Sequence, residues 1–387
     1  MRVGVFTDTY FPQINGVATS IMMLAKHLQA KGHQVFIFTT TDPNAAKDES
    51  NVFRFPSLPV LDDKRLGMVY HPSLSKLVRD LDLDVIHTHT EFSLGASGRY
   101  LAKKLHIPMV HTMHTVYEDY THYLVKGRVF DPLAKAAVRK ASSAFCSAAD
   151  CIIVPTEKVK ALMLSYGIET EISIISTGVE LDRFAPGKYG IDTIESIRQT
   201  LGIGTEEKVI LFVGRMAKEK NIHELLELIR QYLKKTEGVR FLLIGDGAER
   251  PKLELLAKDL GIMDKTIFAG ARPWEEIGMY YQTGDVFVNT SQSEAQGLTY
   301  IEAMAAGLPV VARSDQCLEG VLLDEVNGYS FEDRAGFEAA LDSILFNDIQ
   351  CERLRQGALE TAKRFSASEY AEKVSEVYAG IAAVSRK

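Results

Sequence analysis

No stretch of the chain approaches the roughly 18 uninterrupted apolar residues that a membrane-spanning helix needs, and the apolar run within Met1–Asp8 is too short for a secretory signal. A cytosolic protein is expected. Cysteine is scarce: Cys146, Cys151, Cys317 and Cys351 form no C-x-x-C pair, and no histidines stand near them at zinc-finger spacing. Reduced structural thiols are therefore expected, not a disulfide scaffold, redox chemistry or structural zinc. Positive charge is not in excess either, since 44 Lys and Arg stand against 51 Asp and Glu, a net −7. Nucleic acid is a poor partner for such a chain, because no long basic, aromatic-interleaved stripe supplies phosphate-neutralising charge. Proline totals 12, no short repeat or low-complexity tract occurs, and 46% apolar with 25% charged residues excludes global disorder and fibrous architectures. Nothing in the composition fixes an oligomeric state.

What the chain does have is length and alternation. Its 387 residues give a prior of two to three domains at about 150 residues each. Short β-branched runs alternate with amphipathic segments, the pattern of parallel strands crossed by helices. The first half offers strands at Val3–Thr7, Gln34–Thr39, Val52–Phe55, Asp84–His87, Pro108–Thr112, Cys151–Val154 and Ser173–Ser176. Gly32 follows the periodic stretch Thr19–Lys31, where a helix ends on a left-handed cap. The pattern restarts with Lys208–Gly214, Arg240–Gly245, Lys265–Ala269, Asp285–Asn289 and Pro309–Ala312, and only helical periodicity remains after Phe331. The fold class is α/β, with two doubly wound Rossmann-like domains facing a shared crevice where ligands bind. The boundaries are 1–190, 191–365 and a C-terminal helix, 366–387, packing back across the junction. Residues 1–178 carry a net +2 and the rest −9; residues 99–140 alone hold eight basic and three acidic side chains. That +5 segment suits either an anionic surface or a solvated helix face.

The strongest local signal runs from Ser293 to Val311 as loop, helix and strand. Gly297 lets backbone approach a ligand, and a helix opening near Leu298 aims unpaired amides and a positive dipole end at a diphosphate. Glu294 and Glu302 then address different parts of the ligand, Glu302 being placed to accept ribose hydroxyls; two helix-capping carboxylates are the competing reading. Val213–Asn221 sets Arg215 and Lys220 at a strand's carboxyl end, where they suit the charge of a departing nucleoside diphosphate. A surface salt bridge of Arg215 with Glu219 is the alternative. Gly245-Asp246-Gly247 is a weak G-x-G, as readily a tight turn as a nucleotide loop. Gly16, opening the first helix, would let main-chain amides reach a phosphate or sugar.

Histidines cluster at strand ends: His87, His89, His111 and His114. Their alternation shares a face without promising tetrahedral closure, so hydrogen bonding to substrate by His89 or His114 is expected over a metal site, with the other two packed in the core. Asp82-Leu83-Asp84 looks like a metal-binding D-x-D, but it precedes its strand and lies away from the expected crevice.

Together, the glycine at the first turn, the strand-end histidines, G-R-x4-K-N at Gly214–Asn221, and Glu294 with Glu302 eight positions on resemble the retaining glycosyltransferases of family 4. The resemblance covers essentially the whole chain and implies the GT-B fold. It assigns Glu294 to the transferred sugar, Glu302 to the donor ribose, and Arg215 and Lys220 to the diphosphate. Gly16 falls to a phosphate, His114 to the family's active-site histidine, and the main chain of Gln296, Gly297, Leu298 and Thr299 to sugar hydroxyls and the β-phosphate. Gln296 departs from the aromatic residue that many members carry. Within the family, Glu294–Tyr300 and His111–Tyr123 look like the bacterial diacylglycerol glucosyltransferases that make glycolipid and lipoteichoic acid anchors, with Ala295 where that branch typically has Thr.

The resemblance further implies a UDP-glucose donor, a diacylglycerol acceptor, retained anomeric configuration, no tightly bound cofactor and no essential divalent metal. It also implies a cytoplasmic enzyme, peripheral on the inner face of the cell membrane. His89, Tyr117, Glu118, Asp119 and Tyr120 become acceptor-side candidates by position. Lys126, Arg128, Lys135, Arg139 and Lys140 become membrane-facing cations, with Leu124, Val129 and Phe130 as apolar insertions. A different lipid or soluble acceptor, a sugar-nucleotide 2-epimerase and a noncatalytic sugar-nucleotide sensor are the competing functions.

Overall fold

The computed structural model describes residues 1–13, 15–45, 50–61, 64–67, 72–114 and 131–385. The chain forms two compact units, Met1–Gly178 with Ala367–Lys387, and Val179–Ser366. The first runs β1 (Arg2–Phe6), α1 (Gly16–Ala30), β2 (Gln34–Thr40), β3 (Val52–Phe55), β4 (Ser57–Leu61), β5 (Lys64–Gly67), α2 (Pro72–Leu81), β6 (Val85–Thr88), α3 (Ser93–Leu105), β7 (Met109–Thr112), α4 (Asp131–Cys146), β8 (Cys151–Val154), α5 (Glu157–Ser165) and β9 (Ile172–Ile174). Its parallel seven-stranded sheet has the order β3-β2-β1-β6-β7-β8-β9. β6, β7 and β8 are buried throughout, as strands covered on both faces by crossover helices must be. α1 starts where the Asn15 side chain accepts from the amides of Val17 and Ala18, at 3.1 and 3.0 Å, and stops at Gly32, whose φ is +85°.

The second unit runs α6 (Leu181–Phe184), α7 (Ile191–Thr200), β10 (Lys208–Val213), α8 (Ile222–Lys235), β11 (Val239–Ile244), α9 (Arg250–Asp259), β12 (Thr266–Gly270), α10 (Ile277–Tyr281), β13 (Val286–Asn289), α11 (Leu298–Ala305), β14 (Val310–Arg313), β15 (Gly328–Phe331), α12 (Arg334–Leu345) and α13 (Asp348–Lys363). Its parallel sheet has the order β12-β11-β10-β13-β14-β15. The order reverses at β1/β6 in the first sheet and at β10/β13 in the second. Loops leaving the carboxyl ends there diverge and open a crevice.

Three points differ from the sequence reading. The first unit ends at Gly178, not near 190, because Val179 already pairs with Phe365 and Ser366 of the second unit and Phe184 is in that unit's core. The last helix, α14 (Ala367–Ser385), belongs to the first unit: Tyr370, Ala371, Val374 and Tyr378 pack with Ile21, Leu24 and Leu28 of α1. The antiparallel β4–β5 hairpin and the edge strand β15 went unread. β15 is a four-residue Gly-Tyr-Ser-Phe segment with little apolar pattern, and it pairs because Gly328 lies flat against β14. An added Cβ would fall 1.9 Å from the Val310 carbonyl oxygen. The Asp82-Leu83-Asp84 turn sits at the strands' amino ends, where Asp84 accepts from the Arg2 amide at 2.8 Å.

Gly328→Ala is expected to destabilise the second unit by about 1–3 kcal/mol through this backbone clash. Gly380→Ala, on the exposed side of α14 with open space around it, is expected to stabilise by about 0.5–1 kcal/mol. Urea unfolding of the two variants tests both signs.

Candidate functional site

In the second unit the loop after β10 carries Arg215 and Lys220, and the loop after β13 carries Glu294. They meet in an ion pair, Lys220 Nζ to Glu294 Oε1 at 2.5 Å, with side chains 21% and 12% exposed. Side-chain hydroxyls hold the loops together: Thr290 Oγ1 donates to the Asn221 carbonyl at 3.0 Å and Ser293 Oγ to that of Glu219 at 3.0 Å. Burial alone would raise the Glu294 carboxyl, but the Lys220 charge and hydrogen bond outweigh it and hold the group below its ordinary value. Glu294 is thus an ionised acceptor beside a cation.

Arg215 is more exposed, at 55%, and donates from Nη2 to Glu219, whose side chain is 2% exposed. The salt bridge weighed from sequence exists, and it steers the guanidinium from a buried anchor. Gly245 and Gly247 make close backbone turns. At φ +133° and +156°, their missing Cβ atoms would lie 1.9 Å from the Gly214 oxygen and 2.4 Å from the Met216 oxygen. The gap lets Met216 donate its amide to the Asp246 carbonyl at 2.8 Å, which fixes the Arg215 segment.

Gly297 takes φ +78° as the N-cap of α11. A Cβ there would strike the Tyr300 ring at 2.4 Å, so glycine is needed for conformation and space alike. Gln296 is buried, and Leu298 and Thr299 are half-buried at the helix start. Glu302, one turn further on, accepts from the buried Tyr281 hydroxyl at 2.7 Å. Burial raises the Glu302 carboxyl, with the Tyr281 bond and the Arg183 charge opposing. Neither Glu294 nor Glu302 caps a helix.

In the first unit Gly16 opens α1 on the surface, next to the Asn15 cap. The four histidines line the ends of β6 and β7. His87 is satisfied in the core, Nδ1 to Tyr378 Oη and Nε2 to Thr112 Oγ1, both at 2.6 Å. His111 bonds Thr88 through Nδ1 at 2.9 Å and faces Glu91 through Nε2 at 3.5 Å. His89, expected to reach the acceptor, is only 2% exposed and pairs through Nδ1 with Nε2 of the half-buried His114 at 2.8 Å. Of this pair, His114 is the more accessible ring. Burial, reinforced by neighbouring imidazoles, keeps His87 and His89 well below the usual histidine value, and burial with the His111 charge brings His114 down to about 3.

The sequence reading gave no role to Asp8, which organises these loops. Its buried carboxylate accepts from the Ser93 hydroxyl, the Leu94 amide at 2.9 Å and the Thr90 hydroxyl at 2.6 Å. It thereby caps α3, whose own N-cap Phe92 makes no side-chain bond. Tyr281 and Tyr300 were likewise missed, because no spacing rule links a tyrosine on one helix to a glutamate or glycine on another. Tyr117, Glu118, Asp119, Tyr120, Lys126 and Arg128 lie outside the described residues, as do Leu124, Val129 and Phe130. Lys135 is half-buried on α4, while Arg139 and Lys140 are exposed there. Among the described residues no group of three or more His, Cys, Asp or Glu is arranged to hold a metal ion, and no helix is long and apolar enough to cross a membrane.

Residues 14–183 match the family model described as Glycosyltransferase Family 4, and residues 193–361 match Glycosyl transferases group 1. An alpha-monoglucosyldiacylglycerol synthase of Streptococcus pneumoniae is 38% identical over 98% of this chain and 85% of that protein. The chain is a family 4 glycosyltransferase. A synthase of the same name from Acholeplasma laidlawii is 35% identical to this glycosyltransferase, over 98% of the chain and 96% of that protein. Its GT-B fold appears in sucrose-phosphate synthase from Thermosynechococcus elongatus, with TM-score 0.78, 22% identity and 99% coverage of each chain. It appears again in HepE from Anabaena in complex with UDP and glucose, with TM-score 0.77, 17% identity, and 98% and 100% coverage. The 2-epimerase alternative falls with the family assignment.

The depressed histidines set an acid limb of stability. Below about pH 6.5 the unfolded chain protonates these imidazoles while the folded chain keeps them neutral, His114 down to about 3. The stability they sustain is full above about 6.5 and is lost as pH falls from there, by up to about 1.4 kcal/mol per pH unit for each histidine. Melting temperature measured from pH 7.5 to 5 is expected to fall more steeply for the wild type than for His114→Asn; parallel curves would contradict this linkage.

Proposed function

We propose that this glycosyltransferase moves glucose from UDP-glucose, with retained anomeric configuration, to the free hydroxyl of diacylglycerol, the first sugar of a glycolipid that anchors lipoteichoic acid. The observation that carries this reading is the full-length likeness to two proteins named alpha-monoglucosyldiacylglycerol synthase. The UDP complexes of structural neighbours support the donor class.

The roles follow from the chemistry of each group. Lys220 and Arg215 face the diphosphate, where positive charge stabilises the leaving group more in the transition state than in the ground state. Glu294, kept ionised by Lys220, accepts hydroxyls of the transferred sugar, and Glu302 accepts those of the ribose. The α11 amides from Gln296 to Thr299 take the β-phosphate. Gly16 allows a close approach to phosphate. His114, neutral at physiological pH, hydrogen-bonds the transferred sugar. The acceptor hydroxyl attacks from the face the diphosphate leaves, so no covalent glycosyl carboxylate forms. The reaction needs no tightly bound cofactor in this reading. Acceptor-side contacts fall to Tyr117, Glu118, Asp119 and Tyr120.

A lipid acceptor requires docking at the inner face of the cell membrane. Lys126, Arg128, Lys135, Arg139 and Lys140 serve that contact, each attracted to an anionic surface by about 1 kcal/mol.

Lys220→Ala and Arg215→Ala are each expected to lower turnover at least about tenfold, or about 1.4 kcal/mol, in an assay of UDP-glucose with diacylglycerol vesicles. Glu294→Ala is expected to spare UDP binding and impair transfer. Mass spectrometry and NMR of the product should show an α-linked glucosyl lipid. Efficient glucosylation of a soluble acceptor, without binding to anionic vesicles in flotation, would overturn the lipid assignment.

A further inference from the structure

We propose that Tyr281 is a positioning residue for the donor, fixing the Glu302 carboxylate through one buried hydrogen bond so that it meets the ribose diol of a nucleoside diphosphate as an acceptor.

The inference rests on the Glu302 reading above. Tyr281 closes α10, is fully buried, and donates its hydroxyl to Glu302 Oε2 at 2.7 Å. Its ring is held edge-on to Phe184, at 5.4 Å between centroids, and tilted against Phe287, at 6.2 Å. α6, α10 and β13 therefore all fix where the hydroxyl points. Among the described residues, the groups that bear on the carboxylate are Tyr281 and the Arg183 guanidinium. Arg183 spends Nη1 on the Trp274 carbonyl and Nη2 on Glu180, each at 3.0 Å, and stacks over the Trp274 ring at 3.4 Å. It acts on Glu302 through its charge, so among the described residues the directional bond is the tyrosine's.

A diol needs an acceptor, and a carboxyl accepts at both oxygens only when ionised. Burial pushes the Glu302 carboxyl up and the tyrosine bond opposes it, so removing the hydroxyl favours the protonated form. Tyr281 itself stays a donor, since burial and the Glu302 charge drive its own ionisation far above physiological pH.

The test is UDP affinity by calorimetry from pH 5 to 8, for wild type, Tyr281→Phe and Glu302→Gln. The phosphate's own titration is common to all three and cancels in ratios to Glu302→Gln. Tyr281→Phe keeps the ring and should fold, as circular dichroism and melting would show. Its acid limb of UDP binding is expected to move to higher pH, weakening UDP at least about fivefold at the midpoint of the wild-type limb and closing the gap at pH 8. A Tyr281→Phe profile that overlays wild type while Glu302→Gln binds UDP weakly overturns the positioning role alone. UDP binding unchanged in Glu302→Gln overturns the ribose reading and the positioning role with it.

Discussion

The second unit depends on one contact that is electrostatically expensive, the Lys220–Glu294 pair at 2.5 Å. Taking both charges out of water costs several kcal/mol per ion, and breaking such a pair by removing one partner leaves an uncompensated charge worth about 3–5 kcal/mol. A pair of this kind is a weak stabiliser, yet it ties the loop after β10 to the loop after β13 across the point where the strand order reverses. It also fixes ionisation: Lys220 keeps the Glu294 carboxyl below its ordinary value despite burial. Charge already in place need not reorganise when a charged group meets it.

Both units meet the same constraint in parallel ways. Loops at a topological switch point leave their strands in opposite directions and are hard to hold. In the second unit the Thr290 hydroxyl bonds the Asn221 carbonyl; in the first, the Thr90 hydroxyl bonds the Asp8 carboxylate. Each crossing needs a glycine nearby to let backbones touch. Gly95 has no room for a Cβ, which would lie 1.7 Å from the Thr90 carbonyl oxygen, as Gly245 has none beside Gly214. These two glycines carry the same steric restriction as Gly297.

What the sequence made legible follows from this division of labour. Buried parallel strands are continuous apolar runs, so β1, β2, β3, β6, β7 and β8 were readable, as were β10, β11, β12, β13 and β14 of the second sheet. The edge strand β15 was not, because it is held by a backbone approach at Gly328 and not by apolar side chains. The charged residues at strand ends were readable from their place after β10 and before α11. Their partners were not: Tyr281 finds Glu302 from another helix 21 residues earlier, and Asp8 caps α3 from 86 residues away. Such contacts are set by tertiary packing, which local spacing does not encode. The domain boundary failed for a related reason, since a Gly- and Pro-rich stretch marks a connection, whereas Val179 is claimed for the second unit by a pairing with Phe365.

The histidine pair in the first unit shows how packing also selects a chemical state. His89 and His114 share one hydrogen bond between Nδ1 and Nε2, and both are held neutral, so one ring donates and the other accepts. The remaining His89 nitrogen, Nε2, is buried without a partner among the described residues. An orphaned buried N–H is rarer, and costlier, than an orphaned lone pair, which places the His89 proton on Nδ1, donating to His114. His114 must then carry its own proton on Nδ1, the nitrogen the pair does not use. A neutral imidazole in that tautomer offers a donor and not a base. This is a form that can donate a hydrogen bond but not take up a proton at that nitrogen.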